Sequence, residues 1–293
     1  MAYDKYFLSE RKPEINPEKL ESIIRHALIE DIGRGDITTQ LTIPRDKEIK
    51  AKIIAKEDFL LCGVIVAEKV FKAVDPGIKF EPKIKEGKPV KAKKTIAVIS
   101  GKASSILTAE RVALNLLSLL SGIATKTREF VQEIEPYKTK ITDTRKTMPG
   151  LRELQKYAVR IGGGHNHRIR LDEMILIKDN HIKATDGYSK LPSVPHGYKI
   201  EIEVQNLDEF NHALHFKPDV IMLDNMQIDQ ISEAVKIRNS TEFKSHHLPT
   251  KLEASGGIYL DNIKKYAATG VDIISVGELT DSVKSVDVSL DVV

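Results

Sequence analysis

The stretch TDTRKTMPG, residues 142–150, places two adjacent cations, Arg145 and Lys146, between a β-branched run (Lys140-Ile141-Thr142) and a Pro-Gly stop. A strand that ends in fixed positive charge usually ends at a ligand, so an anion is expected there. Further on, IGGGHNHRIRL (161–171) follows three glycines, which let backbone turn tightly or approach a ligand closely, with His167 and Arg168. Lys178 closes the run DEMILIK, and two carboxylates, Glu203 and Asp224, close KIEIEV and DVIMLD. Four cations, Arg145, Lys146, Arg168 and Lys178, are too many for one monoanion. They suit a polyanionic substrate or two anionic substrates together, with Arg168 forking onto a carboxylate and His167 as a donor nearby. The acids suit Mg²⁺, which prefers a few carboxylates plus substrate phosphate oxygens, or a developing cation. Zinc at His165 and His167 is disfavoured, because no third ligand appears at metal spacing and there is no spare thiol.

These residues need a scaffold that gathers them. From residue 139 the pattern is strand, connection, helix, repeated. Strands are expected at 139–143, 172–178, 199–204, 219–224, 251–255 and 271–276, with amphipathic helices such as 208–216 and 227–238 between. Short apolar strands alternating with helices imply a parallel sheet with helices outside. Residues 139–276 are few for eight such units, so an incomplete α/β barrel is expected. In that architecture the C-terminal strand ends share one face. The ends read Asp143-Thr144-Arg145-Lys146, Lys178, Glu203, Asp224, Ser255-Gly256-Gly257 and Gly277-Glu278. The last two, small and rich in backbone N–H, are suited to a phosphate. The stretches 184–198 and 239–250, the latter with His246-His247, are expected to be surface loops.

The first half differs. Residues 17–30 carry apolar residues at helical spacing behind Pro17, and 31–44 read as a glycine-rich turn region. Short strands separated by turns run from 49 to about 107, suggesting a small α+β domain. The longest helix is expected over 108–135, with Thr108 as N-cap and Arg111 in the first turn, where a cation opposes the helix dipole. Such a cation either lies exposed to solvent or serves an anion outside its own helix.

Composition sets outer limits. The 293 residues, 41% hydrophobic and 30% charged, fit a globular protein of one or two domains. A net charge of +3 argues against general nucleic-acid binding, so basic character must be local. The single cysteine, Cys62 in FLLCGVIVA, excludes an intramolecular disulfide and fits the cytoplasm as a buried thiol. The N-terminal residues do not read as a signal peptide. The apolar stretch 112–124 is too short to span a bilayer.

Several long, ordered motifs, ALIEDIGRGDITT, ERVALNLLSLLSGIAT, TDTRKTMPGLRELQKYAV, GGGHNHR, LIKDNHI, IEIEVQN, IMLDNM, EASGGI and DIISVGELT, make the chain resemble quinolinate phosphoribosyltransferase, also called nicotinate-nucleotide pyrophosphorylase (carboxylating). The likeness runs from about residue 18 to 282. It implies an N-terminal α+β open sandwich over 1–108, to which 280–293 return, and a seven-stranded incomplete α/β barrel over 109–279. It implies transfer of phosphoribosyl from 5-phosphoribosyl-1-pyrophosphate to quinolinate with loss of CO₂, using Mg²⁺, in a homodimer or a hexamer built as a trimer of dimers. By resemblance, Arg145, His167, Arg168 and Lys178 hold the two carboxylates, and Arg111 reaches the neighbouring subunit's site. Lys146 lies between dicarboxylate and pyrophosphate, and Thr144 joins the substrate-binding set. Glu203 and Asp224 lie near the ribose and metal, directly or through water, and are expected with Lys146 to be catalytic. Ser255, Gly256, Gly257 and Gly277 form the 5-phosphate cradle. The rivals are a paralogue for another aromatic acid, a Schiff-base aldolase with Lys178 as nucleophile, and a non-catalytic nucleotide-binding module.

Overall fold

The computed structural model describes residues 13–185, 197–240 and 250–293. The chain divides into two compact units. One comprises Glu129–Lys146 and Gly164–Glu278; the other runs through Arg128 and takes back Thr147–Gly163 and Leu279–Val293. The expected division at 108/109 assigned the whole long helix to the barrel, whereas most of it clusters with the antiparallel unit. The loop interiors 186–196 and 241–249, including His246-His247, and the N-terminal residues 1–12 lie outside the described residues.

The antiparallel unit opens with helix α1 (Pro17–Ile32), whose Asn16 side chain accepts from the Lys19 N–H while Pro17 occupies the first turn. Its apolar stripe Leu20, Ile24 and Leu28 is buried, as the spacing predicts. The supposed turn region instead contains a short helix, α2 (Ile37–Thr42), because Asp36 caps it: its carboxylate accepts from the Thr39 N–H and hydroxyl. Strands β1 (Glu48–Ala55), β2 (Phe59–Leu60), β3 (Lys79–Pro82), β4 (Pro89–Val90) and β5 (Thr95–Lys102) follow, with helix α3 (Val64–Val74) between β2 and β3. Cys62 is fully buried just before α3. Next to it the Glu86 carboxylate accepts from the Gly63 and Val64 N–H groups, where the helix dipole favours an anion.

Strand β5 leads directly into helix α4 (Ala103–Glu133), which therefore starts a turn and a half before the expected residue 108. Thr108 is not its cap; its hydroxyl donates to Asp36 instead. Arg111, exposed, is the ninth helical residue and lies beyond the first turn, so the dipole argument for it does not hold. By length and composition α4 could cross a membrane, but 61% of its most apolar window is buried within the fold.

The second unit is a parallel sheet. Strands β6 (Lys140–Thr142), β7 (Ile175–Ile177), β8 (Ile200–Val204), β9 (Val220–Asp224), β10 (Lys251–Ser255) and β11 (Ile273–Ser275) correspond one for one to the six expected. They pair in the order β6-β11-β10-β9-β8-β7. Helices α6 (Asp179–Ala184), α7 (Leu207–Leu214), α8 (Ile228–Asn239) and α9 (Ile263–Ala267) alternate with them, while α5 (Arg152–Gly162) belongs to the first unit. A single parallel bridge between Thr142 and His165 continues the sheet beyond β6. It marks the place of a seventh strand, kept very short beside glycines that are poor strand formers. The final strand, β12 (Val288–Val292), returns to the first unit and pairs antiparallel with β1, giving the order β12-β1-β5-β3.

Side-chain alternation decides which residues enter the barrel. Met174, Val220 and Ile273 form a buried cluster in its interior. With period two, Met222 and Asp224 share Val220's face, and Ser275 shares that of Ile273. Ile202, Val204, Ile221, Leu223, Leu252, Ala254 and Ile274 are fully buried on the opposite face, as expected beneath a covering layer of helices. Glu201, paired with Val220, and Glu253, paired with Ile273, share the interior face, so the interior mixes apolar and acidic residues.

Candidate active site

Beyond β6, Asp143 is fully buried and organises the loop opposite it. Its Oδ1 accepts the His167 backbone N–H at 2.9 Å and its Oδ2 accepts from Asn166 Nδ2 at 2.6 Å. Helix α5 stops at Gly163, whose φ of 97° an L side chain rarely adopts, and the chain then runs on to the His165 bridge. Two cations thereby come into one neighbourhood. Arg168 is only 6% exposed, and its Nη1 donates to the Met174 carbonyl at 2.9 Å. Its Nε is buried without a hydrogen-bond partner among the described residues. Burial and then the nearby charge of Arg145 hold the Arg168 guanidinium below its ordinary pKa, partly offset by Glu201 and Glu173. Two guanidinium groups that repel one another, one with a dry unsatisfied donor, make a place for an anion with more than one carboxylate.

Lys178, expected at a carboxylate, and Glu203, expected at the ribose, are ion-paired with each other at 2.9 Å. Glu203 is nearly buried on β8, while the Lys178 side chain is 44% exposed at the end of β7. Asp224 ends β9 next door, and Asn225 Nδ2 donates to its Oδ2 at 2.8 Å. In the loop after β6, the Thr144 hydroxyl accepts the Lys146 N–H at 3.0 Å, folding that turn on itself, and Lys146 is exposed.

At β10 the expected cradle has a definite reason for its glycines. Gly256 has φ of 87°, and a Cβ there would lie 2.3 Å from Asn225 Oδ1. Asn225 itself adopts φ of 54° and donates its backbone N–H to the Ser255 carbonyl. Gly257 has φ of 62° with open space around it, and Ser255 and Gly277 at the ends of β10 and β11 are part-exposed. All the expected site residues except Arg111 therefore lie in the barrel unit. Arg111 belongs to the antiparallel unit.

Two interior residues are not visible in a pattern of strand ends. Glu201, two residues below Glu203 on the same face of β8, and Glu253 on β10 are both fully buried. His167 Nε2 stands 2.9 Å from Glu201 Oε2 and 3.7 Å from Glu253 Oε2. The expectation that no third metal-type ligand accompanies the histidines is thus incorrect for His167: the two acids come from distant strands, and the three ligating atoms lie within 4.8 Å of one another. Burial raises both carboxyls to about 8. For Glu201 the cations Arg168 and Lys178 oppose the rise, and for Glu253 the proximity of Glu201 adds to it. Acids at alternate positions of a parallel strand are the signal that could have revealed them, since both faces of such a strand are ordinarily apolar.

The C-terminal rim of this incomplete α/β barrel sets cations beside carboxylates and a glycine-rich turn. Residues 123–291 match the C-terminal domain of quinolinate phosphoribosyl transferase and residues 36–121 its N-terminal domain. The chain is 45% identical to a probable nicotinate-nucleotide pyrophosphorylase (carboxylating) of Methanocaldococcus jannaschii, over 92% of this chain and 96% of that one. It is 40% identical to quinolinate phosphoribosyltransferase (decarboxylating) 1b of Nicotiana tabacum, over 96% and 85%. A solved nicotinate-nucleotide pyrophosphorylase from Francisella tularensis superposes with a TM-score of 0.88 at 40% identity, over 97% of this chain and all of that one. The chain belongs to the quinolinate phosphoribosyltransferase family.

Proposed function

We propose that this chain joins quinolinate to 5-phosphoribosyl-1-pyrophosphate and releases pyrophosphate and CO₂, giving nicotinate mononucleotide for NAD synthesis. The observation that carries the reading is the buried Arg168 with its unsatisfied Nε beside a second cation, Arg145. A substrate with two adjacent carboxylates offers the buried Arg168 Nε a partner and sets a second anionic group beside Arg145. Arg145 and Arg168 take the dicarboxylate, with Lys178 exchanging its Glu203 partner for a substrate oxygen. Lys146 and Thr144 face the pyrophosphate, and Ser255, Gly256, Gly257 and Gly277 present the 5-phosphate with backbone N–H groups. Arg111 serves the partner subunit's site in a homodimer or a larger assembly.

Glu203 and Asp224, oxygen donors on neighbouring strands, fit Mg²⁺. When bound, the ion neutralises charge on the departing pyrophosphate. The chain's own contribution is electrostatic. As the C1–pyrophosphate bond breaks, the ribose becomes cationic, and the two carboxylates stabilise it. The pyridine nitrogen forms the new bond to C1 and becomes positively charged. That charge stabilises the electron pair left on the ring carbon when the adjacent carboxylate departs as CO₂, and a proton then bonds to that carbon through this pair. No enzyme nucleophile is needed. The aldolase reading loses its ground, because Lys178 already has a use for its charge in the Glu203 pair. We place the enzyme in the cytoplasm, in keeping with a single, buried cysteine.

The test is incubation with quinolinate labelled in the carboxylate next to the ring nitrogen, phosphoribosyl pyrophosphate and Mg²⁺. Labelled CO₂ and mononucleotide should appear in equal amounts, and nicotinate should not substitute. Mononucleotide from nicotinate without CO₂ would overturn the assignment.

A further inference from the structure

We propose that Asp143 is a positioning residue for the dicarboxylate: its buried carboxylate ties the loop that carries Arg168 to the strand end that carries Arg145. It thereby holds the two cations together independently of substrate. This role rests on the quinolinate reading above and deepens it, since Asp143 acts through its neighbours and not on the substrate.

The tie continues a β-ladder with a side chain. Between the two segments, backbone bonds run from the His165 N–H to the Ile141 carbonyl at 2.8 Å and from the Asp143 N–H to the His165 carbonyl at 3.2 Å. A regular parallel ladder would next join the His167 N–H to the Asp143 carbonyl. Asp143 Oδ1 takes that N–H instead, at 2.9 Å. Because a side chain supplies the acceptor, the main chain is released from the sheet at Asp143 and is free to turn out towards Arg145. The second oxygen, Oδ2, accepts from Asn166 Nδ2 at 2.6 Å, so both carboxylate oxygens hold the same short segment. Arg168 is the next residue, and its Nη1 is fixed separately on the Met174 carbonyl at 2.9 Å. One carboxylate therefore stands two residues before Arg145 in the chain and grips the backbone one residue before Arg168.

Electrostatics explains the need for such a tie. Arg145 lies close enough to Arg168 to disfavour its charge. Two like-charged segments would spread apart until an anion neutralised them, and drawing them together would then be subtracted from substrate affinity. A tie made by the chain itself removes that loss. Asp143 and Asn166 are suited to it because they are only 0% and 8% exposed, where water weakens a charge-assisted hydrogen bond little. The same role accounts for a fully buried carboxylate at this strand end, where an apolar residue would cost less to bury.

Calorimetry with each substrate separately tests this. Asp143→Ala should weaken quinolinate binding about tenfold or more, while phosphoribosyl pyrophosphate binding changes less than about threefold. Asn166→Ala, which spares the bond to the His167 N–H, should cost quinolinate only about threefold. The exchanged pair, Asp143→Asn together with Asn166→Asp, keeps an oxygen for that N–H and one amide–carboxylate bond in the reverse sense. It should bind quinolinate within about threefold of wild type, a recovery that general loss of packing cannot give. Unchanged quinolinate affinity in Asp143→Ala, equal losses for both substrates, or an exchanged pair as weak as Asp143→Ala would each overturn the proposal. If Asp143→Ala does not fold, the other two variants decide. Quinolinate affinity that Asn166→Ala leaves untouched, or that the exchanged pair does not retain, would overturn it equally. Wild-type enzyme that binds no quinolinate would instead defeat the functional reading on which the role rests.

Discussion

Arg168 is where residue chemistry and function meet most directly. A single planar cation, dry on its Nε and anchored on Nη1, can receive a carboxylate without rearranging. Arg168→Ala should therefore raise the quinolinate Kd on the order of thirtyfold, matching the roughly 2 kcal/mol of a charge-assisted bond. Phosphoribosyl pyrophosphate should bind nearly as before, and calorimetry with both ligands distinguishes this from general damage. Glu253 gives a pH signature of the same interior. Its carboxyl is raised from the ordinary 4.5 to about 8 by burial and by Glu201. Between those values the unfolded chain releases a proton that the folded one keeps, so stability falls as pH rises through the window and the loss is complete above about 8. Glu253→Gln removes that titration. The melting temperature of the variant relative to wild type should climb from about pH 4.5 to about pH 8 and then level off. A gap that does not change with pH would show that Glu253 is not held protonated.

At the scale of elements, the β9 and β10 termini interlock. Asn225 closes against Ser255 with a positive φ, and Gly256 leaves the space that its side chain fills. Gly256→Ala must displace Asn225 as well as strain φ, whereas Gly257→Ala meets only the backbone strain. The expected costs are about 2–4 kcal/mol for the first and about 1–2 kcal/mol for the second. Denaturant melts would resolve the difference. Phosphoribosyl pyrophosphate KM should rise more for Gly256→Ala than for Gly257→Ala, because only the former moves the neighbour of Asp224. Equal effects would mean that the contact with Asn225 carries no energy.

For the whole molecule, Arg111 bears on assembly. Arg111 is exposed on α4, with no capping or dipole role in its own helix, and family resemblance assigns it to the neighbouring subunit's substrate. If that assignment holds, mixing inactive Arg111→Ala subunits with inactive Lys178→Ala subunits should restore activity. One site in each mixed dimer would then contain both intact residues. Mixed dimers shown to form by native mass spectrometry, yet as inactive as either parent, would exclude a shared site.

Sequence by itself determined the barrel's six strands, because β-branched runs alternating with amphipathic helices satisfy both faces of a parallel sheet in only one way. It also named the rim residues, since charge at successive strand ends needs only the strand boundaries to be read. It did not find α2, whose start depends on one capping carboxylate, nor the true start of α4, where strand runs into helix without a turn signal. The seventh strand position, an isolated bridge, has too little periodicity to be seen. Only tertiary structure decided the interior. His167, Glu201 and Glu253 are separated by 34 and 52 residues along the chain, and no local pattern reports that barrel closure brings their ligating atoms within 4.8 Å. The pairing of Lys178 with Glu203 is likewise a product of sheet assembly: adjacent parallel strands put opposite charges at neighbouring ends, and their partnership depends on lateral order and register rather than on either strand's own sequence.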